Sequence, residues 1–448
     1  MYAIMTLATF AALGAIGRPP NPLDAQMQAI RGYRNCCMQA LVLSHYTKPG
    51  PYTLETMALY MEGEFLISKD DQAHLYLLIG NIVRLALRMG LHRDATKIGG
   101  NITPFQAEVR RRIWAHLGQI DLLGSFHIGL PGMVPAIESD TLLPRNYRDE
   151  DWNDEMIEVP PSRPESELTG SSYLICKSRL TRACASIAAL ANRLTPPPYD
   201  EVMRIDGILR EAFDSIPSFF QMPSEFPMFD PPEIIIKQFS LALVYQKSRC
   251  MLHRKYVVNE GGNTEYTYSK ETALDASMEL LKYQHMSYEA TLPGGPFAQD
   301  RWILSTLTMH DFLLASMIIS LTITQTISTN SQNGVDSSNK TLYKMVEAVE
   351  KSYNIFLDLG FNSVEAKKAS GLLKIMVNKT NKALGRPLIS KEIPVAASKN
   401  LNSNGGATAI SNLSLDGTLI YPCHLLILPP SLSRALILSR RATTPCAT

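Results

Sequence analysis

Three consecutive arginines, Arg110, Arg111 and Arg112, stand in the stretch TPFQAEVRRRIWAHLGQID at residues 103–121, inside an apolar helical pattern. Arginines so placed can bind phosphate or pair with carboxylates. On a helix, successive residues point about 100° apart, so the three cannot form one flat basic face for nucleic acid. Glu108 reaches Arg111 and Arg112 at i,i+3 and i,i+4, which predicts ordinary surface ion pairs. Arg110 shares a side with Trp114, Leu117 and Asp121. Trp114 and Leu117 should pack, which puts Asp121 partly inside, where a carboxylate requires a partner. Arg110 is one expected partner; Arg84 or Arg93 from the preceding helix is another.

Other clusters bear on different chemistry. GLHRD, Gly90–Asp94, gathers a glycine, a histidine and two opposite charges in one turn. A catalytic His–Asp pair needs a nucleophile, and neither GxSxG nor a framed Cys–His pattern accompanies it. His92 and Arg93 fit the simpler role of cations at a helix C-terminus. DEDWNDE, Asp149–Glu155, could hold magnesium if its carboxylates projected from a helix into a deep cavity. They lie instead between Pro144 and Pro160–Pro161, so a solvated acidic loop or helix-initiating turn is expected. His253 and His310 read as core histidines bonded to neighbours, since a metal would need further ligands. No GxxxxGK[ST] or GxGxxG is present, so there is no phosphate-binding loop of either type. The seven cysteines, Cys36, Cys37, Cys176, Cys184, Cys250, Cys423 and Cys446, are scattered and include no CxxC. That pattern predicts a reducing compartment and no structural zinc site in this chain.

These residues must be positioned by helices. In LYLLIGNIVRLALRM, residues 75–89, Leu75, Leu78, Ile79, Ile82, Leu85, Ala86 and Met89 form one stripe, with Asn81, Arg84 and Arg88 opposite. Gly90 should stop that helix. The next helix begins with Thr103 as N-cap, Pro104 at the first helical position and Gln106 completing a capping box. It should run to about His127 and end at Gly129–Pro131. A loop rich in acids and prolines follows, Leu143 to Ser166. Further helical patterns begin near Tyr173, Pro198, Ile234, Lys270, Trp302, Leu342 and Ser363. No strand alternation persists, so the fold class is all-α, a large helical array.

The chain has 448 residues, 45% hydrophobic and 19% charged, with a net charge of +1. A sizeable core can form, and there is no basic excess of the kind that supports phosphate contact by the main body. The apolar N-terminus, MYAIMTLATFAALGAIG, lacks the basic flank of a signal peptide and reads as a buried first helix. Trp302–Ser328 is long enough to span a bilayer, but His310 and Asp311 near its middle favour a core helix. Residues 1–390 read as the folded domain; residues 391–448 read as a low-complexity linker and an irregular C-terminal tail.

Taken in order, LALRMGLHRD, then FQAEVRRRIWAHLGQIDLLGSFHIGLPGMV, then DTLLPRNYRDEDW closely resembles the fungal-specific transcription factor domain, the middle homology region of fungal binuclear zinc cluster regulators. The family's helix end maps to Arg84–Asp94, its E-x-RRR-x-W…D helix to Glu108–Asp121, its G-x-P turn to Gly129–Pro131 and its D…LP-x-N segment to Asp140–Asn146. Residues 241–256, 309–321 and 364–379 also resemble the family. The resemblance implies a helical regulatory domain of a nuclear transcription regulator, with no catalytic role and no membrane partner. Family members often control catabolic or secondary-metabolite genes. Zinc and base contact belong in the family to a C-x2-C-x6-C module, which is not found in this sequence; adjacent Cys36–Cys37 cannot replace it. The resemblance therefore implies DNA reached only indirectly or through such a missing N-terminal module, no cofactor in this chain, and a homodimer or a heterodimer with another regulator. Two other readings compete: an all-α interaction scaffold without direct DNA binding, and a magnesium-dependent all-α enzyme built on Asp149–Glu155.

Overall fold

The computed structural model describes residues 1–15, 25–67, 73–223, 231–257, 264–298, 309–333, 340–359 and 364–389. The linker and tail expected over 391–448 and the helix start near Trp302 lie outside the described residues. Among the described residues there are thirteen α-helices and no strand, as the periodicity predicts. They are α1 (Tyr2–Ala15), α2 (Ala25–Leu43), α3 (Thr53–Ile67), α4 (Ala73–Arg88), α5 (Ala95–Ile98), α6 (Pro104–Ile128), α7 (Ser172–Ala191), α8 (Tyr199–Asp214), α9 (Pro232–Val257), α10 (Thr267–Ala290), α11 (Met309–Asn333), α12 (Lys340–Leu359) and α13 (Val364–Ala383). The chain folds into two compact units. The described residues of the first fall within 1–252 and 289–298, and those of the second within 253–288 and 309–389.

In the first unit α4 forms as its stripe requires: Leu75, Ile79, Ile82, Leu85 and Ala86 are buried, while Asn81, Arg84 and Arg88 face solvent. Gly90, at φ +71°, ends it in a left-handed conformation that costs glycine little. α6 starts on the expected capping box: Thr103 Oγ1 accepts from Gln106 N–H, and the Gln106 side chain accepts from Thr103 N–H. Gly129 closes its other end in the left-handed region, with N–H donated to the Ser125 carbonyl. Both α4 and α7 pack on α6, and α8 packs on α7. α6 therefore buries residues on nearly every side, including Ile113, Trp114, Leu117, Ile120, Leu122, Leu123 and Phe126. The first helix differs from expectation. α1 packs against α2 and α3 and buries one face through Ala3, Thr6 and Phe10, but leaves Met1, Tyr2 and Ile4 exposed.

In the second unit α11, α12 and α13 pack on one another. Within α11, His310–Ile327 is long and apolar enough to cross a membrane by length and composition. Here Phe312, Ala315, Ile319 and Ile323 are buried, Ser316 and Ser352 bond to each other at 3.1 Å, and Asp311 is also buried. His253 sits as a core histidine, its Nδ1 2.8 Å from Ser269 Oγ.

Candidate functional site

The residues of most interest converge on one polar seam around α6. Its centre is Asp94, fully buried at the N-cap of α5. Arg111 grips it with two parallel bonds, Nε to Oδ2 and Nη2 to Oδ1, both 2.8 Å. Asp94 also accepts from Thr96 N–H at 3.1 Å, Thr96 Oγ1 at 2.7 Å and Leu142 N–H at 3.1 Å. The Arg111 bonds, aided by the Thr96 and Leu142 donors, hold its carboxyl well below the usual carboxylate range. Every lone pair that a catalytic His–Asp pair would use is already spent.

The next residue, Arg112, is buried with Glu108. Arg112 Nε donates to Glu108 Oε1 at 3.2 Å and Nη2 to Ser171 Oγ, next to α7, at 2.8 Å. Its guanidinium carbon lies 3.9 Å from the Trp152 ring centre, and Trp152 stacks on Phe105 at 4.8 Å. Glu108 Oε1 also accepts from Arg145 N–H at 3.0 Å, while Oε2 lies 3.8 Å from Arg111 Nη1. Burial pushes the Glu108 carboxyl up, and Arg112 opposes that shift. The expected surface ion pairs are therefore interior ones: Glu108, Arg111 and Arg112 are each no more than 4% exposed. The spacing was right, but packing on both flanks of α6 removes the solvent.

Arg110 is the third arginine and does not reach Asp121. Its Nη2 donates to the Met89 carbonyl at 2.9 Å, so it caps the C-terminal end of α4. That is the role expected of His92 and Arg93. Arg93 is exposed and pairs with Asp140 at 3.1 Å, and the His92 ring lies tilted against Trp114 at 6.4 Å. The His92 carbonyl accepts from Asp140 N–H at 3.1 Å and Ser139 Oγ at 2.8 Å, tying GLHRD to the D…LP-x-N segment.

Asp121 is buried as expected, but its partner is not an arginine. Its Oδ2 accepts from Val134 N–H at 2.7 Å, in the strap that leaves the Gly129–Pro131 turn. Burial pushes its carboxyl up, and the Val134 and Met133 amides pull the other way. Arg84 points outward near Gly80. Pro131 is exposed, and its carbonyl accepts from Tyr76 OH at 3.2 Å. Gly132 carries no signal in the sequence, yet a Cβ there would stand 2.9 Å from Asp121 Oδ2. The glycine lets the strap lie on the carboxylate.

The loop after Pro144, itself buried, is stitched down by Asn146. Asn146 Nδ2 donates to the Pro164 and Glu167 carbonyls at 2.8 and 3.0 Å, and its Oδ1 accepts from Thr169 and Ser172 at 2.7 and 2.9 Å. The acidic run forms a short 3-10 turn, Asp149–Asp151, and Asp151 is taken by Arg163 at 2.5 and 2.6 Å. Two further ties have no counterpart in the sequence motifs. His116 Nε2 lies 3.1 Å from Glu62 Oε1, joining α6 to α3. Gln119 donates to the Leu174 carbonyl at 3.1 Å and to Ser178 at 2.8 Å, joining α6 to α7. Among the described residues no group of three or more His, Cys, Asp or Glu side chains is arranged to hold a metal ion. Cys37 is buried beside half-buried Cys36 on α2, so the residues present do not fit a binuclear zinc cluster.

An all-α array whose central helix is clasped by buried ion pairs defines a class of protein: a helical domain whose charged motif residues serve its own architecture. Comparison with known proteins is specific. Residues 11–212 match the fungal specific transcription factor domain, so this part of the chain is such a domain. The chain is 35% identical to the Zn(2)-C6 fungal-type transcription factor mpsB of Macrophomina phaseolina, over 82% of this chain and 50% of that protein. It is 34% identical to the Zn(2)-C6 fungal-type transcription factor pigI of Monascus ruber, over 83% of this chain and 46% of the relative. It is 35% identical to the equisetin cluster transcription factor eqxF of Fusarium heterosporum, over 77% and 49% respectively. The chain thus spans about half the length of the curated relatives it matches. No solved structure matches it.

Proposed function

We propose that this chain is the regulatory part of a fungal zinc cluster transcription regulator, acting in the nucleus on secondary-metabolite genes. One observation carries the reading. The three ordered motifs, GLHRD, E-x-RRR-x-W and D…LP-x-N, form a single buried network in the segment matched by the transcription factor domain. The target class follows from relatives named for the pyrrolocin, equisetin and fusarisetin A clusters. DNA would be reached through a separate zinc module or through a partner regulator in a homo- or heterodimer, because Arg111 and Arg112 of α6 are buried against carboxylates and Arg110 is held on the Met89 carbonyl.

The test is a fusion of the full chain to a heterologous DNA-binding module in a fungal host carrying the matching reporter. The fusion should change reporter output several-fold relative to the module alone, and a fluorescently tagged chain should accumulate in the nucleus. Reporter output equal to that of the module alone, with the tag confined to the cytoplasm, would overturn the proposal and favour a plain scaffold.

A further inference from the structure

The outer face of α13 is unlike any surface the clasp explains. The helix carries five lysines against one glutamate, in a chain whose net charge is only +1. Its inner face is settled: Ala366, Ala369, Leu373 and Val377 are buried. Lys368, Leu372, Ile375, Lys379 and Lys382 follow the spacing i, i+4, i+7, i+11, i+14, which draws one seam along the opposite side. Ile375 is 68% exposed at the centre of that seam and Leu372 36% exposed beside it. Lys368, Lys379 and Lys382 are exposed and make no ion pair among the described residues. The seam is about 21 Å long, four turns of helix.

We infer that this seam is a docking face for an acidic amphipathic helix of a partner protein, with aliphatic side chains meeting Leu372 and Ile375 and carboxylates meeting the three lysines. Charge selects this occupant over a second copy. Two α13 seams laid together, parallel or antiparallel, place lysine against lysine, which specifies against self-pairing. The apolar centre selects it over nucleic acid. Phosphate binding uses Lys and Arg without an aliphatic anchor, whereas a helix-in-groove contact is read through anchors at these spacings. Lysines flanking a small apolar centre give the polar rim and dry centre of a protein interface.

The probe is a synthetic fluorescein-labelled helical peptide of about four turns, with Leu and Ile at the two central seam positions and Glu at the others. Fluorescence polarisation with the full chain should detect binding. Lys368→Glu/Lys379→Glu/Lys382→Glu should weaken it at least about tenfold, and Ile375→Ser by a similar factor, with unchanged circular dichroism and melting. A peptide with lysines in place of its glutamates should bind the triple variant, which no loss of folding could produce. The inference is overturned if the probe does not bind, or if Ile375→Ser leaves its affinity unchanged. It is overturned equally if random-sequence duplex DNA binds α13 as tightly and ignores Ile375→Ser, since the seam would then read only polyanion charge. Concentration-dependent dimerisation that the triple charge reversal abolishes would assign the seam to a second copy and refute a separate partner.

Discussion

Removing the Asp94 carboxylate is the most searching perturbation of the clasp. Asp94 accepts five hydrogen bonds: two from Arg111, two from Thr96 and one from Leu142. Arg111 is 4% exposed, and its next acid, Glu108, lies 3.8 Å away and already serves Arg112. Asp94→Asn keeps the shape but leaves a buried guanidinium without its counter-charge and turns an amide donor toward other donors. Breaking a buried pair from one side costs about 3–5 kcal/mol. Whole-domain stability is about 5–15 kcal/mol, so the variant should unfold at markedly lower urea. Tryptophan fluorescence is the right readout, because Trp114 and Trp152 are buried beside the clasp. Asp94→Leu combined with Arg111→Met should be less damaging than the sum of the two single changes, since no charge is then stranded. The shifted carboxyl adds a pH signature. Its folded value lies below the unfolded 3.8, so its contribution is complete above that value and drains away as pH falls further. The Asp94→Asn variant should therefore lack part of the acid sensitivity of the parent. A cost under about 1 kcal/mol, or single effects that add within about 0.5 kcal/mol, would refute a coupled buried pair.

Three other outcomes follow from the same geometry. Gly132→Ala puts a methyl 2.9 Å from Asp121 Oδ2 and should cost about 1–3 kcal/mol in urea unfolding, whereas Gly207→Ala, inside α8 with no clashing atom beyond its own helix, should stabilise by about 0.5–1 kcal/mol. Asn146→Ala removes four bonds that pin residues 164–172, so limited proteolysis should cut that segment faster in the variant, with α6 still protected. Asp121 has its folded value raised above the unfolded 3.8 by burial, so folding favours its protonated form and its contribution declines as pH rises through the folded value. Asp121→Asn, which keeps an acceptor for Val134 N–H, should then match or exceed the parent in melting temperature at pH 7 and lose that advantage as pH falls through the raised value; Asp121→Leu strands the amide and should cost about 1–3 kcal/mol.

Local signals were legible because they are local. The Thr103–Gln106 capping box, the α4 stripe and the stops at Gly90 and Gly129 each depend on residues within a turn of one another. The depth of the arginines was not, because Glu108 with Arg111 and Arg112 has the same spacing on a wet surface or a dry one. The available signal was the company they keep: Ile113, Trp114, Leu117, Ile120, Leu122 and Leu123 go round α6, and a helix apolar on all sides belongs in the interior. The partner of Asp121 was hidden for another reason. Side-chain spacing identifies side-chain partners, but the donor is the Val134 amide in a turn whose path depends on Gly132. Asn146 reads as one polar residue in a polar loop, and only the return of the chain through Pro164–Ser172 makes it a hub.

The seam around α6 also accounts for why a helical array would carry charges inside. Apolar contacts between helices tolerate rotation and sliding at small cost, as core swaps show. A bidentate arginine–carboxylate pair does not, since both bonds fail together when either helix turns. Arg110 on the Met89 carbonyl at the end of α4, Arg111 on Asp94 and Arg112 on Ser171 and Trp152 point in three directions from one turn of α6. Those are the directions of α4, of the GLHRD turn and of the α7 start. Consecutive arginines cannot make a flat basic face, and for that same reason they can fix one helix against three neighbours at once. The geometry that removes them from nucleic-acid contact is the geometry that makes them useful to the fold. A lysine at Arg111 would keep the charge and lose the fork, so Arg111→Lys should destabilise the protein despite its conservative charge.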